Sequence, residues 1–200
     1  MVYSLGIDRK YVNKMIRKVH LEEIPLLYPF VLKIFTDMGL PLLETIAPEN
    51  LEAIIVDAMH SPRYRYGYEN AYIYEMDGEI AGVLFGYPGE WEMLIDGPLQ
   101  ASMLNHGLNY EKLTVEYETL PGEWYLDTLV ISPNHWRQGV ATALIEYAIE
   151  VAKGRDYDKI ALNCETDNKP AYRLYEKLGF RSMTKLVLSG HVYWHMTLDL

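Results

Sequence analysis

The last eighty residues alternate between two hydrophobic periods, and that alternation predicts a sheet crossed by helices. Val140, Leu144, Ala148 and Val151 recur every three or four residues, as do Ala141, Ile145, Ala148 and Ala152, which marks an amphipathic helix from Gly139 to Lys153. Apolar-rich runs at Trp124–Ile131 and Lys159–Cys164 read as strands on either side of it. A helix over Lys169–Leu178 and strands near Phe180–Leu188 and His191–Leu198 complete this half. Upstream, Lys14–Val19 predicts a strand, and Ile24, Leu27, Phe30, Val31 and Ile34 place a helix ending near Gly39. Leu51, Ile54, Ile55 and Ala58 share one face of a second helix, Pro48–His60. Ala71–Met76 and Glu79–Tyr87 flank Asp77-Gly78, a dipeptide that supplies the positive φ angles of a tight hairpin. Pro88–Gly122 keeps no period, so an irregular acidic insertion is expected at about 88–122. Strands alternating with helices predict an α/β or α+β sheet fold in a single domain over residues 1–200.

Composition narrows the function. Half of the 200 residues are hydrophobic and 23% are charged, proportions of a chain with a sizeable core. The formal net charge of −10 opposes a duplex nucleic acid. Tyr64, Tyr66, Tyr68, Tyr72 and Tyr74 lie near Arg63 and Arg65 like a base-stacking surface, but their mostly even spacing suits one face of an extended segment. No nucleic-acid partner is expected, and some of these tyrosines are expected to line a substrate groove. No stretch is long and apolar enough to span a bilayer, and the opening MVYSLGIDRKYVNK lacks the apolar core of a signal peptide, so a cytoplasmic location is expected. Cys164 is the single cysteine and reads as an inert core thiol; His191 and His195 share a strand without a third ligand, so no metal is expected.

The chemistry concentrates between Trp124 and Phe180. A strand runs into Ser132-Pro133-Asn134, and His135-Trp136-Arg137-Gln138-Gly139-Val140-Ala141 opens the amphipathic helix. A helix start offers unpaired N–H groups and the positive end of the dipole, which suits a phosphate. Gly139 and Ala141 allow close approach to the backbone, and Arg137 adds a cation. No GxxxxGK[ST] or GxGxxG is present, which disfavours the common nucleotide-binding folds.

Together with Asn168-Lys169-Pro170-Ala171-Tyr172-Arg173-Leu174-Tyr175-Glu176-Lys177-Leu178-Gly179-Phe180, this stretch resembles the GCN5-related N-acetyltransferase family. The first segment matches its Arg/Gln-x-x-Gly-x-Gly/Ala loop and the second its Asn-x-x-Ala-x-x-x-Tyr-Glu-Lys-x-Gly-Phe signature. The resemblance implies a mixed, mostly antiparallel sheet of six to seven strands flanked by helices and splayed at the central strand. It implies acetyl-CoA as co-substrate, with Leu129, Val130 and Ile131 pairing with the pantetheine arm. Trp136, Arg137, Gln138, Gly139, Val140 and Ala141 would hold the pyrophosphate, and Asn168 would contact the cofactor. Tyr175 would stand beside the thioester sulfur as the catalytic acid. Trp136 departs from the family, which usually has Arg or Gln there; Ala141 is a common variant.

Asp127 sits in an apolar strand at a position matching an acidic residue that some members use as base or substrate anchor. Burying it unpaired is costly, so it is expected to face a cleft and serve as catalytic base, with Glu123 and Glu165 as rivals. Asn163 matches another base position of some relatives and cannot act as one. The expected activity is N-acetyl transfer from acetyl-CoA to the primary amine of a small molecule or peptide, with a non-catalytic acyl-CoA-binding module as the alternative. Small amine, polyamine, antibiotic, and protein N-terminus or lysine all fit as acceptor. Glu90, Glu92, Asp96, Glu111, Glu116, Glu118 and Glu123 against Lys112 make a local charge of −6, so a cationic acceptor is expected. Homodimers are frequent among proteins this one resembles.

Overall fold

The structure, a computed structural model, describes residues 14–108 and 117–200. Seven strands form one sheet in the order β1-β2-β3-β4-β5-β7-β6, with β1 Lys14–Lys18, β2 Ala71–Met76, β3 Glu79–Pro88, β4 Trp124–Ile131, β5 Lys159–Glu165, β6 Arg181–Leu188 and β7 His191–Asp199. Every neighbouring pair is antiparallel except β4 with β5. The expected hairpin is present, with Asp77 and Gly78 at φ 53° and 84°.

Helices cover both faces of the sheet. On one face α1 (Ile24–Asp37) and α3 (Pro48–Met59) pack Leu27, Val31, Ile54 and Ile55 against Ile73, Val83 and Phe85. A one-turn α2 (Leu42–Thr45) links them. On the other face α5 (Val140–Lys153) sets Leu144, Ile145 and Ala148 against Leu84, Trp124, Leu126 and Leu162, with α6 (Lys169–Lys177) alongside. Among the described residues, no helix is long and apolar enough to cross a membrane.

Two sequence expectations need correction here. The segment expected to be irregular holds a 3-10 stretch, Gly89–Leu94, and a helix α4, Gly97–Asn105. Pro98 sits in the first turn, where its missing N–H costs nothing, and Ser102 interrupts the apolar face by donating to the Ile54 carbonyl of α3 at 3.0 Å. That hydroxyl hid the period. The tyrosine run also does not share one face. Tyr66 is buried before β2 against Phe35 and Phe85 with Tyr64 edge-on to it, whereas Tyr72 and Tyr74 belong to the α5 side.

The sheet splits at its centre. β4 and β5 pair only at Trp124–Ile160 and Tyr125–Ala161, and from Leu126 onward β4 is paired with β3 alone. A bulge coincides with the split: Phe85 opposes Thr128 and Gly86 opposes Leu126, so Asp127 is the extra residue. Bulges increase local twist and re-aim a side chain. Gly86 is required opposite it, because the Trp124 ring fills the space a Cβ would take.

Candidate active site

The gap between β4 and β5 exposes a strand edge. The Ser132 amide donates to the Ala81 carbonyl at 2.9 Å. Bonded residues alternate along an antiparallel ladder, so Val130 is bonded to β3, while the N–H and C=O groups of Leu129 and Ile131 turn into the gap. Of the three residues expected to pair with a ligand, Leu129 and Ile131 thus offer backbone and Val130 does not. Val130 instead lines a cavity of about 170 Å³ with Ile131, Ser132 and the α1 residues Pro29, Phe30 and Lys33.

The loop from Ser132 to Gly139 closes one end of the gap. Pro133–His135 makes one 3-10 turn, and Arg137 and Gly139 adopt left-handed φ angles of 60° and 83°. Among the described residues, the amides of Arg137, Gln138, Gly139, Val140, Ala141 and Thr142 bond to no carbonyl or side chain. They sit at the positive end of α5. Arg137 is exposed and has no carboxylate partner among the described residues. The Gln138 side chain is folded back, donating to the Asn134 carbonyl at 2.9 Å, and the Val140 side chain is core. Trp136, 60% exposed, donates its indole N–H to the Ile131 carbonyl at 3.0 Å. These groups fit an elongated anionic ligand: strand-like pairing in the gap, then amides and a guanidinium for phosphate.

Tyr175 stands on α6 facing the α5 side of the gap, its ring edge-on to Phe180 at 6.0 Å and its hydroxyl near Cys164. Burial, then the Cys164 sulfur, push the phenol well above its ordinary value. Its hydroxyl has no hydrogen-bond partner among the described residues. Asn168 caps α6, accepting from the Ala171 amide at 3.2 Å, which leaves its NH₂ group for other partners. Cys164 is buried, and burial pushes its thiol up to about 11, as an inert core residue requires.

Asp127 does not face an open cleft. Its side chain is 2% exposed, with Oδ1 accepting from Arg65 at 3.0 Å and Tyr87 at 2.9 Å, and Oδ2 from Thr128 at 2.8 Å. Burial raises its pKa to about 6 against the pull of Arg65. Arg65 also holds Asp96 at 2.8 Å and Glu118 at 3.1 Å, so one guanidinium serves three carboxylates. The network continues through Tyr125, which donates to Glu118 at 3.2 Å, to Asn163 and His195, and ends at Glu123. Glu165 lies outside it, paired with His191 at 2.9 Å.

The acidic segment is therefore internally engaged. Glu90 accepts from the Tyr157 hydroxyl, Glu92 from the amides of Glu118 and Thr119, and Asp96, Glu118 and Glu123 as above. Glu111, Glu116 and Lys112 lie outside the described residues. Sequence reasoning missed Arg65, Glu118, Tyr125 and His195 as site residues. The one available signal was an arginine flanked by aromatic residues, which reads equally as surface.

A family model described as the acetyltransferase (GNAT) family matches residues 42–180. A solved structure described as an acetyltransferase superposes with a TM-score of 0.86 at 39% identity, covering 92% of this chain and 98% of that one. An N-acetyltransferase from Staphylococcus aureus Mu50 gives 0.75 at 24% identity, covering 92% and 100%, a likeness of fold. Among curated proteins, N-alpha-acetyltransferase 30 of Schizosaccharomyces pombe is 39% identical over 56 residues, 28% of this chain and 37% of that protein. Streptothricin acetyltransferase of Escherichia coli is 42% identical over 55 residues, 28% of this chain and 32% of that protein. The matches thus span about a third of those curated relatives' length. With a matched family model across most of its length and a split sheet that superposes on an acetyltransferase almost end to end, the chain belongs to the acetyltransferase (GNAT) family.

Proposed function

We propose that this chain moves the acetyl group of acetyl-CoA to a primary amine by direct transfer in a ternary complex. The observation that carries the reading is the run of amides from Arg137 to Thr142, without partners among the described residues, beside a gap that bares the edge of β4. In this reading the amides and Arg137 hold the pyrophosphate, and Leu129 and Ile131 pair with the pantetheine arm. An N–H of that edge stabilises the carbonyl oxygen as charge develops on it. Asn168 supplies an NH₂ group to the cofactor.

The amine arrives as an ammonium ion and loses a proton to the carboxylate network around Arg65, of which Asp127 is the enclosed member. It then attacks the thioester carbon; the C–N bond forms, the C–S bond breaks, and the CoA sulfur ends as a thiol. Tyr175 hydrogen-bonds the departing sulfur. Reference pKa values of roughly 10 for a phenol and 8.5 for a thiol already make full proton transfer uphill by about 2 kcal/mol, and burial of Tyr175 widens that gap. A cationic acceptor agrees with a network that holds three carboxylates against one guanidinium. The curated relatives' names cover an α-amino acceptor and streptothricin, so the class proposed is the primary amine.

The test is calorimetric binding of acetyl-CoA, followed by thiol release on offering a panel of amines. Valine at position 139 would put a β-branched side chain at φ 83°, straining the loop by about 1–2 kcal/mol but striking nothing in the fold. Gly139→Val is expected to stay folded and lose acetyl-CoA binding by about tenfold or more. Parental affinity in that variant would place the site elsewhere. Binding without consumption by any amine would support the non-catalytic acyl-CoA-binding module instead.

A further inference from the structure

If the chain acetylates amines as proposed, the acceptor must give up a proton beside the split in the sheet, and Asp127 is too enclosed to meet it. We propose that Glu118 takes that proton, and that His195, Asn163 and Tyr125 are positioning residues that aim its carboxylate.

The direction of the hydrogen bonds carries the assignment. The Glu118 main-chain carbonyl can only accept, so Asn163 presents its NH₂ group there at 2.7 Å, and to the Tyr125 hydroxyl oxygen at 3.0 Å. That fixes the amide orientation. Asn163 Oδ1 consequently faces His195 Nδ1 at 2.9 Å, and that nitrogen carries a hydrogen. The Tyr125 oxygen, already accepting from Asn163, donates its own hydrogen to Glu118 Oε2 at 3.2 Å. On the far side His195 Nε2 lies 3.2 Å from the Glu123 carboxylate, a contact that needs a proton between the two. Burial pushes the Glu123 carboxyl up, but His195, the Leu120 amide and Lys159 together hold it below its ordinary value. From His195 onward every bond in the series donates toward Glu118, and Arg65 takes the other carboxylate oxygen.

Placement agrees. Tyr125–Ala161 is the last residue pair before β4 and β5 part, and Asn163 follows Ala161 on the same face. Glu118 is thus held at the apex of the gap on the face away from α5, while Tyr175 approaches from the α5 face. An amine entering on one side and a thiol leaving toward the other flank the acetyl carbon. Glu118 is also far more accessible than Asp127 and Glu123, 27% exposed against 2% and 6%, while Asp96, 38% exposed, has both oxygens on Arg65 and no bond from Tyr125 or Asn163. It borders a cavity of about 160 Å³ together with Thr119, Leu120, Thr184, Leu186 and His195.

The proton balance closes. The ammonium gives one proton to the Glu118 carboxylate and the neutral amine attacks. The second N–H proton is lost as the amide forms and ends on the sulfur as the CoA thiol, and Glu118 returns the first to solvent, so each turnover releases one proton. The ionisable groups facing Glu118 among the described residues are Arg65 and Tyr66 before β2, Tyr87 of β3, Tyr125 and Asp127 of β4, Tyr193 of β7, and Glu92 of the 3-10 stretch.

Glu118→Gln and Tyr125→Phe decide the matter, each assayed for thiol release across the pH range with the best amine of the parent protein and for acetyl-CoA binding. Glu118→Gln should lower kcat/KM for the amine by about 10²-fold and keep the acetyl-CoA affinity. Tyr125→Phe keeps the buried ring and removes a donor to the ionised carboxylate. The acidic limb of its kcat/KM profile should move to higher pH with the plateau retained, a change that loosened packing alone does not produce. A parental rate in Glu118→Gln, or an unmoved limb in Tyr125→Phe, overturns the assignment. If Glu118→Gln also loses acetyl-CoA binding, the limb of Tyr125→Phe decides alone. A parent protein that turns over no amine overturns the acetyltransferase reading itself, which separates the two failures.

Discussion

The indole N–H of Trp136 donates to the carbonyl of Ile131 at 3.0 Å, tying the loop that precedes α5 to the last residue of the bared strand edge. The resemblance leads one to expect Arg or Gln at this position of the proposed pyrophosphate loop, and Trp136 instead supplies a strut within the protein. The strut holds two parts of the proposed cofactor site at a fixed distance and occupies one of the carbonyls turned into the gap. Trp136→Phe keeps an aromatic ring and removes the bond. It should raise the KM for acetyl-CoA several-fold with kcat little changed; a net worth of about 1 kcal/mol corresponds to roughly fivefold. An unchanged KM would make Trp136 a bystander of the loop.

Tyr175→Phe tests the other end of the transfer. Its hydroxyl has no hydrogen-bond partner among the described residues and its ring packs on Phe180, so removing one oxygen should leave the melting temperature unchanged or slightly raised. The turnover number should fall by about tenfold or more while acetyl-CoA affinity stays at the parental level. Equal turnover under conditions where chemistry limits the rate would reduce Tyr175 to a core aromatic.

The elements most legible in the sequence are those whose side chains alternate cleanly. α5 shows a continuous stripe of Val140, Leu144, Ala148 and Ala152, and the β2–β3 hairpin is announced by Asp77-Gly78. α4 was illegible because Ser102, in the middle of its buried face, is satisfied by a carbonyl on α3, a partner that only tertiary packing supplies. The same limit governs the site. The loop and Tyr175 are contiguous patterns, whereas the Arg65 network draws on the turn before β2, the 3-10 stretch, β3, β4, β5 and β7. Asp127 could be placed in the central strand, but the bulge that turns it toward Arg65 depends on Gly86 yielding room to the Trp124 ring. Pairing of this kind leaves no periodic trace.

Arg65 is the hub of the buried charges, and its removal should be costly. Arg65→Met preserves much of the stem but strands Asp127, whose other partners are the neutral hydroxyls of Tyr87 and Thr128. Breaking a buried ion pair from one side typically costs about 3–5 kcal/mol. Asp127→Asn introduced into Arg65→Met should recover part of that loss, because the uncompensated charge is gone. Denaturant melts of the four species form a double-mutant cycle. Additive losses would show that the two side chains are energetically independent despite their 3.0 Å contact.

The same burial gives stability an unusual dependence on pH. Glu92 is buried beneath the strand-entry segment with its oxygens on the amides of Glu118 and Thr119, and burial pushes it up to about 7, while Asp127 is pushed up to about 6. Both carboxyls hold their protons more tightly folded than unfolded. Between about pH 4 and pH 7 the folded chain therefore binds more protons, and stability falls as pH rises through that window. Glu23 works in the opposite sense. The Arg17 hydrogen bond outweighs burial and holds it down at about 2, so its contribution is present above its unfolded value of about 4.5 and is lost as pH falls toward 2. Through these three groups stability should be greatest near pH 4 to 5 and decline toward neutrality. Glu92→Gln mimics the protonated carboxyl, with one oxygen left to accept from the amides. It should flatten the decline between about pH 5 and pH 7 by as much as about 3 kcal/mol, the upper limit set by a shift from 4.5 to about 7. Urea melts of parent and variant across that range provide the measurement. A parental slope in Glu92→Gln would mean that Glu92 titrates alike in the folded and unfolded chain, and that its hold on the Glu118 and Thr119 amides is independent of its charge.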